Sequence, residues 1–490
     1  MTAVEGDERP LADRAARGAM VTLAGQAMRM VLQLAGVVVL ARLLSPHDYG
    51  LLAVAIVVVG VGEIFRDFGL STAAIQARTL SAAERNALFW TNAAIGLVLT
   101  GLAIAIAPLV AHAYGEPALR PMLQVVAITF TCNGLATQYR ADLTRRLQFG
   151  RLVGADVVGQ AAGLALGVVG AVAGAGHWAL VAQLVGQSAV ALIAVAAAAR
   201  WLPGRPRRGT DVRPFVRFGR MLALSAVVNY VSNNLDVLTI SVRLGTTPLG
   251  IYNRAFSLLM SPLNQLRSPA TTVALPVLSR LQDDYPAAGR YVARGQLAFG
   301  YSIGAALAIC AGASTPIVHL MLGEKWSAAA PVLGFLAVAG ASTLLAYPGY
   351  WVYLSRGLGP ALFRYTCVTL VLQAVCIIAG SWWGITGVAA GYMIAAVLEW
   401  PLSLFWLARL TVLPLRELLT GALRVTACGG LAGAATWLAV HATGDPKADA
   451  NVALGLATGL AVYAVLFALV PAVRRDVKLV GATGRRMLRR

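Results

Sequence analysis

The sequence predicts an all-α integral membrane protein of about 14 transmembrane helices: two six-helix bundles related by a parallel repeat, plus two C-terminal helices. Three observations predict it. Hydrophobic residues make up 58% of the 490 positions and charged residues only 12%, with a mean hydropathy of +0.71, so the chain is composed for lipid. Apolar stretches of about 20 residues, the length a helix needs to cross hydrocarbon, follow one another from near Met20 to about Pro471. Arginine, finally, is concentrated in alternate connections between those stretches.

The spans read as 19–41, 49–65, 87–111, 118–138, 152–173, 177–200, 216–242, 250–275, 295–320, 329–354, 361–381, 384–408, 421–441 and 451–473. An even number places both termini on one side. With that side cytoplasmic, 32 of the 40 Lys and Arg residues fall in inside segments. Five (Arg42, Arg120, Arg243, Lys325 and Lys447) fall outside, and Arg29, Arg254 and Arg267 lie within spans. Adding or removing one span would scramble this partition, so the count and the orientation support each other. The net charge of +19 is therefore explained by topology, and no nucleic-acid partner is expected.

The divisions follow. Residues 1–18 form a mixed-charge cytoplasmic segment; the span after them is too long for a signal-peptide core, so it stays as an anchor. Residues 19–200 form the first bundle, and 201–215 a linker within RWLPGRPRRGTDVRPF, rich in Pro, Gly and Arg. This basic run fixes topology and touches anionic lipid heads. Residues 216–408 form the second bundle, 421–473 the two additional helices and 474–490 a basic cytoplasmic tail.

A repeat relates the halves. RLLSPHDYG (Arg42–Gly50) follows the first span and RLGTTPLG (Arg243–Gly250) the seventh, with a hydroxyl residue, a proline and a glycine in the same order. Six spans is an even number, so the copies share an orientation and the repeat axis lies along the membrane normal. The first copy reads as an outer turn held by Pro46, Asp48 and Gly50, with Arg42 at the rim.

Polar groups in hydrocarbon are costly, about 2.5–3.5 kcal/mol for a central Arg or Asp on the insertion scale, so they face a cavity or each other. At 100° per residue, Thr22, Gln26, Arg29, Gln33 and Gly36 share one face of span 1. Ser225, Asn229, Ser232, Asp236, Thr239 and Arg243 share one face of span 7, with Asn233 at its edge. Asn253, Ser257, Ser261, Asn264, Ser268 and Thr271 line span 8, flanked by Arg254 and Arg267. These stripes describe a wet central cavity. Gln26, Arg29, Gln33, Asn229, Asn233, Asn253, Arg254, Asn264 and Arg267 are the candidate substrate-binding residues; single hydroxyls more often glue helices together. Asp236 either pairs with an arginine or binds a coupling Na+ or H+. Glu399 is expected close to the inner face without a special role. Pro262, Pro269 and Pro276 should bend or break span 8.

Catalytic constellations are missing. His47, His112, His177, His319 and His441 have no metal-ligand spacing, and Cys132, Cys310, Cys367, Cys376 and Cys428 show no CxxC or CxxH pattern. Neither a cofactor nor an enzyme activity is expected.

The stretch ARLLSPHDYGLLAVAIVVVGVGEIFRDFGLSTAAIQ, Ala41–Gln76, resembles the polysaccharide flippases of the lipopolysaccharide and exopolysaccharide type. These belong to the larger superfamily that includes multidrug exporters of the MATE kind. NNLDVLTISVRLGTTPLGIYNRAFSLLMSPLNQLRSPATTVALPVLSRLQDD, Asn233–Asp284, is similar to that family's span 7 to 8 segment. The resemblance implies two six-helix bundles arranged as a V, alternating access, and transfer of undecaprenyl-diphosphate-linked oligosaccharides from the cytoplasmic to the periplasmic leaflet of a bacterial inner membrane. It implies a cationic cavity for the diphosphate, which suits Arg29 and Arg254, and partners among polysaccharide polymerases and glycosyltransferases besides membrane lipids. Two other classes stand beside it. A multidrug exporter would favour an acidic or aromatic pocket, and a membrane polysaccharide polymerase or glycosyltransferase a sizeable external loop.

Overall fold

The computed structural model describes residues 8–67, 81–204, 230 and 233–488, and the side chains of these except 8–19, 67, 266, 268 and 482–488. The described chain is all-α and divides into two compact units, Met1–Gly250 and Ile251–Arg490.

The first unit holds α1 (Glu8–Leu43), α2 (Pro46–Asp67), α3 (Ala82–Tyr114), α4 (Leu119–Val126), α5 (Ile128–Arg145), α6 (Phe149–Val172), α7 (His177–Ala199), α8 (Leu235–Arg243) and the first turn of α9 (Thr246–Arg280). Local chemistry sets the boundaries. Ser81 and Glu84 exchange hydrogen bonds in a capping box that starts α3, and Gly115, in the left-handed region at φ 64°, ends it. Along α6, Ala155, Gly159, Gly163, Gly167 and Ala171 are buried every fourth residue. A methyl added at Gly163 would lie 2.6 Å from the Gln183 carbonyl oxygen of α7. That approach replaces the hydrophobic drive that lipid cannot supply between two apolar helices with close backbone packing.

The predicted span 118–138 is two helices, broken at Ala127. Hydroxyl groups stabilise the break: Thr100 donates to the Ala127 carbonyl at 2.9 Å and Thr129 to the Val126 carbonyl at 2.7 Å. In hydrocarbon such released carbonyls must find partners inside the protein.

The second unit continues α9 and adds α10 (Tyr285–Phe299), a π-helical turn (Gly300–Gly304), α11 (Ala305–Gly312), α12 (Ser314–Leu322), α13 (Ala329–Ser355), α14 (Gly359–Gly380), α15 (Gly384–Ala408), α16 (Leu415–Ala442), α17 (Ala450–Leu469) and α18 (Pro471–Leu488). Of the bend or break expected in span 8, the break does not occur. α9 runs unbroken for 35 residues through Pro262, Pro269 and Pro276, because prolines seven apart fall on one face and remove backbone donors from that side only.

Among the described residues, ten segments are long and apolar enough to cross a membrane, and one of them, Gly359–Ala408, contains both α14 and α15. The protein is a multi-pass membrane protein. The broken Leu119–Arg145 segment and the polar Thr246–Arg280 helix are not among the ten, and most of predicted span 7 lies outside the described residues.

Among the described residues, arginine contacts mark one end of each unit. Arg85 at the start of α3 reaches Asp142 near the end of α5 at 3.4 Å, and its guanidinium stacks 4.2 Å over Trp201, just past α7. Arg151 at the start of α6 donates to the Ala198 carbonyl of α7 at 3.3 Å. In the second unit Arg356 lies 4.4 Å over Tyr285. The other end there is marked by Lys447–Glu324 at 3.2 Å and His319–Asp449 at 3.4 Å.

Candidate functional site

At the arginine-poor end of the first unit, the two repeat segments meet. Ser45 caps α2: its hydroxyl accepts from the Asp48 backbone N–H at 3.2 Å, while the Asp48 carboxylate accepts from the Ser45 N–H at 2.9 Å. Pro46 occupies the first helical position, where its missing donor costs nothing. His47 pairs with Glu116 at 3.0 Å, and the same Glu116 oxygen accepts from the Thr246 hydroxyl at 2.9 Å. One carboxylate therefore ties the first copy of the repeat to the second. The backbones also touch: a methyl at Gly50 would overlap the Thr246 carbonyl, and one at Gly250 the Pro46 carbonyl. The polar residues of HDYG are structural ties, and the two glycines are the contact.

The charged groups within the membrane helices of this unit lie deeper. Arg29 sits 14 residues before the end of α1 at Leu43, about 21 Å along the axis. Its guanidinium meets the Asp156 carboxylate of α6 at 3.2 Å, and Arg140 of α5 meets the other Asp156 oxygen at 2.6 Å. Two cations share one anion, so the trio keeps a net positive charge. Both arginine side chains are more than a third exposed, at 36% and 37%, whereas that of Asp156 is 16% exposed. The cluster can therefore hold a further anion through charge-assisted, planar hydrogen bonds. The Gln160 amide donates to the Arg29 backbone carbonyl at 2.9 Å and fixes α1 against α6 at this level.

A second polar knot joins α2 and α5. Arg66 Nε donates to Glu63 at 2.5 Å and its Nη1 to Thr137, while the Asn133 amide donates to the other Glu63 oxygen at 2.8 Å.

Gln26 and Gln33, one turn either side of Arg29, are half-buried, as the shared face predicts. Asn229 lies outside the described residues, with Ser225 and Ser232. Asn233 is exposed near the start of α8; Asp236 is only 2% exposed and accepts the Val237 backbone N–H at 2.9 Å.

In the second unit Arg254 and Arg267 of α9 are each steadied by a neighbouring amide. Arg254 donates to the Asn253 carbonyl oxygen at 3.0 Å and Arg267 to that of Asn264 at 3.0 Å. Arg267 also lies 5.4 Å from the centre of the Tyr347 ring. The Tyr347 hydroxyl contacts Thr271 at 2.8 Å and donates to the Arg267 carbonyl at 3.2 Å, and Trp351 donates to Thr271 at 3.1 Å. Glu399 is the sixteenth of the 25 residues of α15 and accepts from the Tyr365 hydroxyl at 3.3 Å.

Asp156, Arg140 and Glu63 were not singled out from sequence. The signal was present for two of them: Asp156 and Glu63 are acids inside predicted apolar spans, the same irregularity that marks Arg29.

A family described as polysaccharide biosynthesis protein matches residues 39–331. The chain belongs to this family. Both stretches that carry the sequence resemblance lie inside the matched residues. The chain is 27% identical over 375 residues to the lipopolysaccharide biosynthesis protein WzxC of Escherichia coli K12, covering 75% of each. It is 25% identical over 302 residues to the succinoglycan biosynthesis transport protein ExoT of Rhizobium meliloti, covering 61% of each. Its fold is similar to that of the lipid II flippase MurJ in an inward closed conformation, with a TM-score of 0.69, 13% identity, and coverage of 92% of this chain and 97% of that one. At that identity the likeness is one of fold.

Proposed function

We propose that this polysaccharide biosynthesis protein carries an undecaprenyl-diphosphate-linked oligosaccharide across a bacterial cytoplasmic membrane by alternating access, with both termini on the cytoplasmic side. The observation that carries this reading is the Arg29–Asp156–Arg140 cluster: two partly exposed arginines on one less exposed carboxylate, joining α1, α5 and α6, in a chain of this family. A diphosphate crossing a bilayer must have its lost hydration replaced, and surplus guanidinium groups do that with paired N–H donors. Gln26, Gln33, Asn229, Asn233, Asn253 and Asn264 supply donors and acceptors suited to sugar hydroxyls. Arg254 and Arg267 of α9, in the second unit, are cationic groups of the same kind. The segregation of arginine to one end of each unit supports the orientation, and the buried Asp236 is the carboxylate we assign to a coupling Na+ or H+.

Deleting the gene is expected to stop surface polysaccharide export and to accumulate its lipid-linked precursor. Complementation with Asp236→Asn should leave export unresponsive to the ion gradient. A deletion strain that exports normally with no precursor build-up, in a cell with no second gene of this family, would rule the function out.

A further inference from the structure

The C-terminal helix is built differently from the basic tail that the sequence suggests. The hydrophobic helix α17 ends at Leu469, Val470 is extended (φ −103°, ψ 105°), and Pro471 begins a new helix, α18. A proline at a first helical position starts a helix without losing a donor, so the chain breaks where the apolar span ends. Arg474 then reaches back and donates to the Phe467 carbonyl at 3.3 Å and to the Ala468 carbonyl, covering acceptors left open at the end of α17.

One face of α18 is packed against the protein. Val473 is 2% exposed and Asp476 4%. Asp476 is the only acid in a segment that is otherwise basic from Arg474 to Arg490. Its carboxylate receives Arg424 of α16 through Nε at 2.9 Å and Nη2 at 2.8 Å, and the Tyr301 hydroxyl at 3.5 Å. Tyr301 belongs to the π-helical turn Gly300–Gly304. Two charge-assisted donors converging on one carboxylate oxygen hold this face of the helix against α16. With Asp476 turned in, Arg475 and Lys478 are turned out and exposed. They therefore stand at the level where the apolar span stops.

We propose that α18 is an interfacial helix that binds anionic phospholipid headgroups of the leaflet on the side of the termini through Arg475 and Lys478, with Asp476 as the positioning residue. The occupant follows from charge and place. The exposed face is cationic, lies at the end of a membrane span, and continues in sequence into Arg485, Arg486, Arg489 and Arg490. A basic helix held at that depth meets phosphodiester headgroups before any other anion.

The test uses the full-length protein in nanodiscs of phosphatidylcholine alone or mixed with phosphatidylglycerol, reading hydrogen exchange of residues 471–481. Phosphatidylglycerol is expected to slow exchange by about five-fold per engaged basic residue, and the Arg475→Ala, Lys478→Ala pair to remove that slowing. Asp476→Asn should exchange fast in both lipids, because the helix loses its anchor. Equal exchange of the unaltered protein in the two lipids overturns the proposal, as does a slowing that survives in the double variant.

Discussion

Arg29→Ala is expected to abolish glycan export while leaving the protein inserted and folded. The two halves of that expectation have separate causes. Folding is spared because the Gln160 amide bonds the Arg29 backbone carbonyl, which alanine retains, and because Asp156 keeps Arg140 at 2.6 Å. The carboxylate is not orphaned. Export is lost because the surplus charge goes: with one arginine left on one aspartate, the cluster is neutral and has nothing to offer a diphosphate. Hydrogen bonds to charged groups are worth about 1.5–3 kcal/mol each, which is roughly ten- to a hundred-fold in rate or affinity. Arg29→Lys should retain part of the activity, since it keeps the charge but not the planar fork. Surface polysaccharide, measured beside membrane protein level in a complemented deletion strain, reads both halves. Export at the normal level from Arg29→Ala would remove the cluster from the transport path.

Gly250→Val should be the most damaging substitution at the arginine-poor end, and it acts on stability. The added carbon would overlap the Pro46 carbonyl, backbone against backbone, with no flexible side chain to give way. Forcing the two repeat segments apart also strains the Thr246–Glu116–His47 chain that ties them. Overpacking of this kind costs about 1–3 kcal/mol. Valine at a helical glycine recovers at most a few tenths of a kcal/mol in propensity, roughly. Gly101→Ala makes the control, because nothing lies within 4 Å of its added methyl and α3 should gain by about 1 kcal/mol. Thermal unfolding in detergent is expected to fall by several degrees for Gly250→Val and to hold or rise for Gly101→Ala. An unchanged midpoint for Gly250→Val would mean the two segments do not rely on that contact.

How much of this was legible in the sequence depends on the kind of signal. The helices were, because 20-residue apolar runs and one-sided arginine are one-dimensional patterns. The family was too, through Ala41–Gln76 and Asn233–Asp284. The repeat was visible as a weak match of serine or threonine, proline and glycine; that the two copies touch, glycine to carbonyl, is a fact of three dimensions. Breaks were harder. Ala127 carries no turn residue, and the α4–α5 break is set by hydroxyls of Thr100 and Thr129, one of them on another helix. The three prolines of α9 gave the opposite error, since composition suggests a break where their common face leaves the rest of the backbone ladder whole. For the site, residue type located Arg29 but could not supply its partners: Asp156 lies 127 positions away. The inward turn of Asp476 was hidden for a similar reason, because a basic tail reads as solvated until Arg424 is seen facing it.

Leaflet sidedness tests the central claim most directly. Purified protein is reconstituted into liposomes carrying a fluorescent undecaprenyl-diphosphate-linked oligosaccharide, and a membrane-impermeant reagent reports how much of the glycan reaches the opposite leaflet. The account predicts transfer that depends on the protein, exceeds that in protein-free liposomes, and falls to their level with Arg29→Ala. Transfer no faster than in protein-free liposomes, from protein that is folded and competent to restore export in cells, would contradict it.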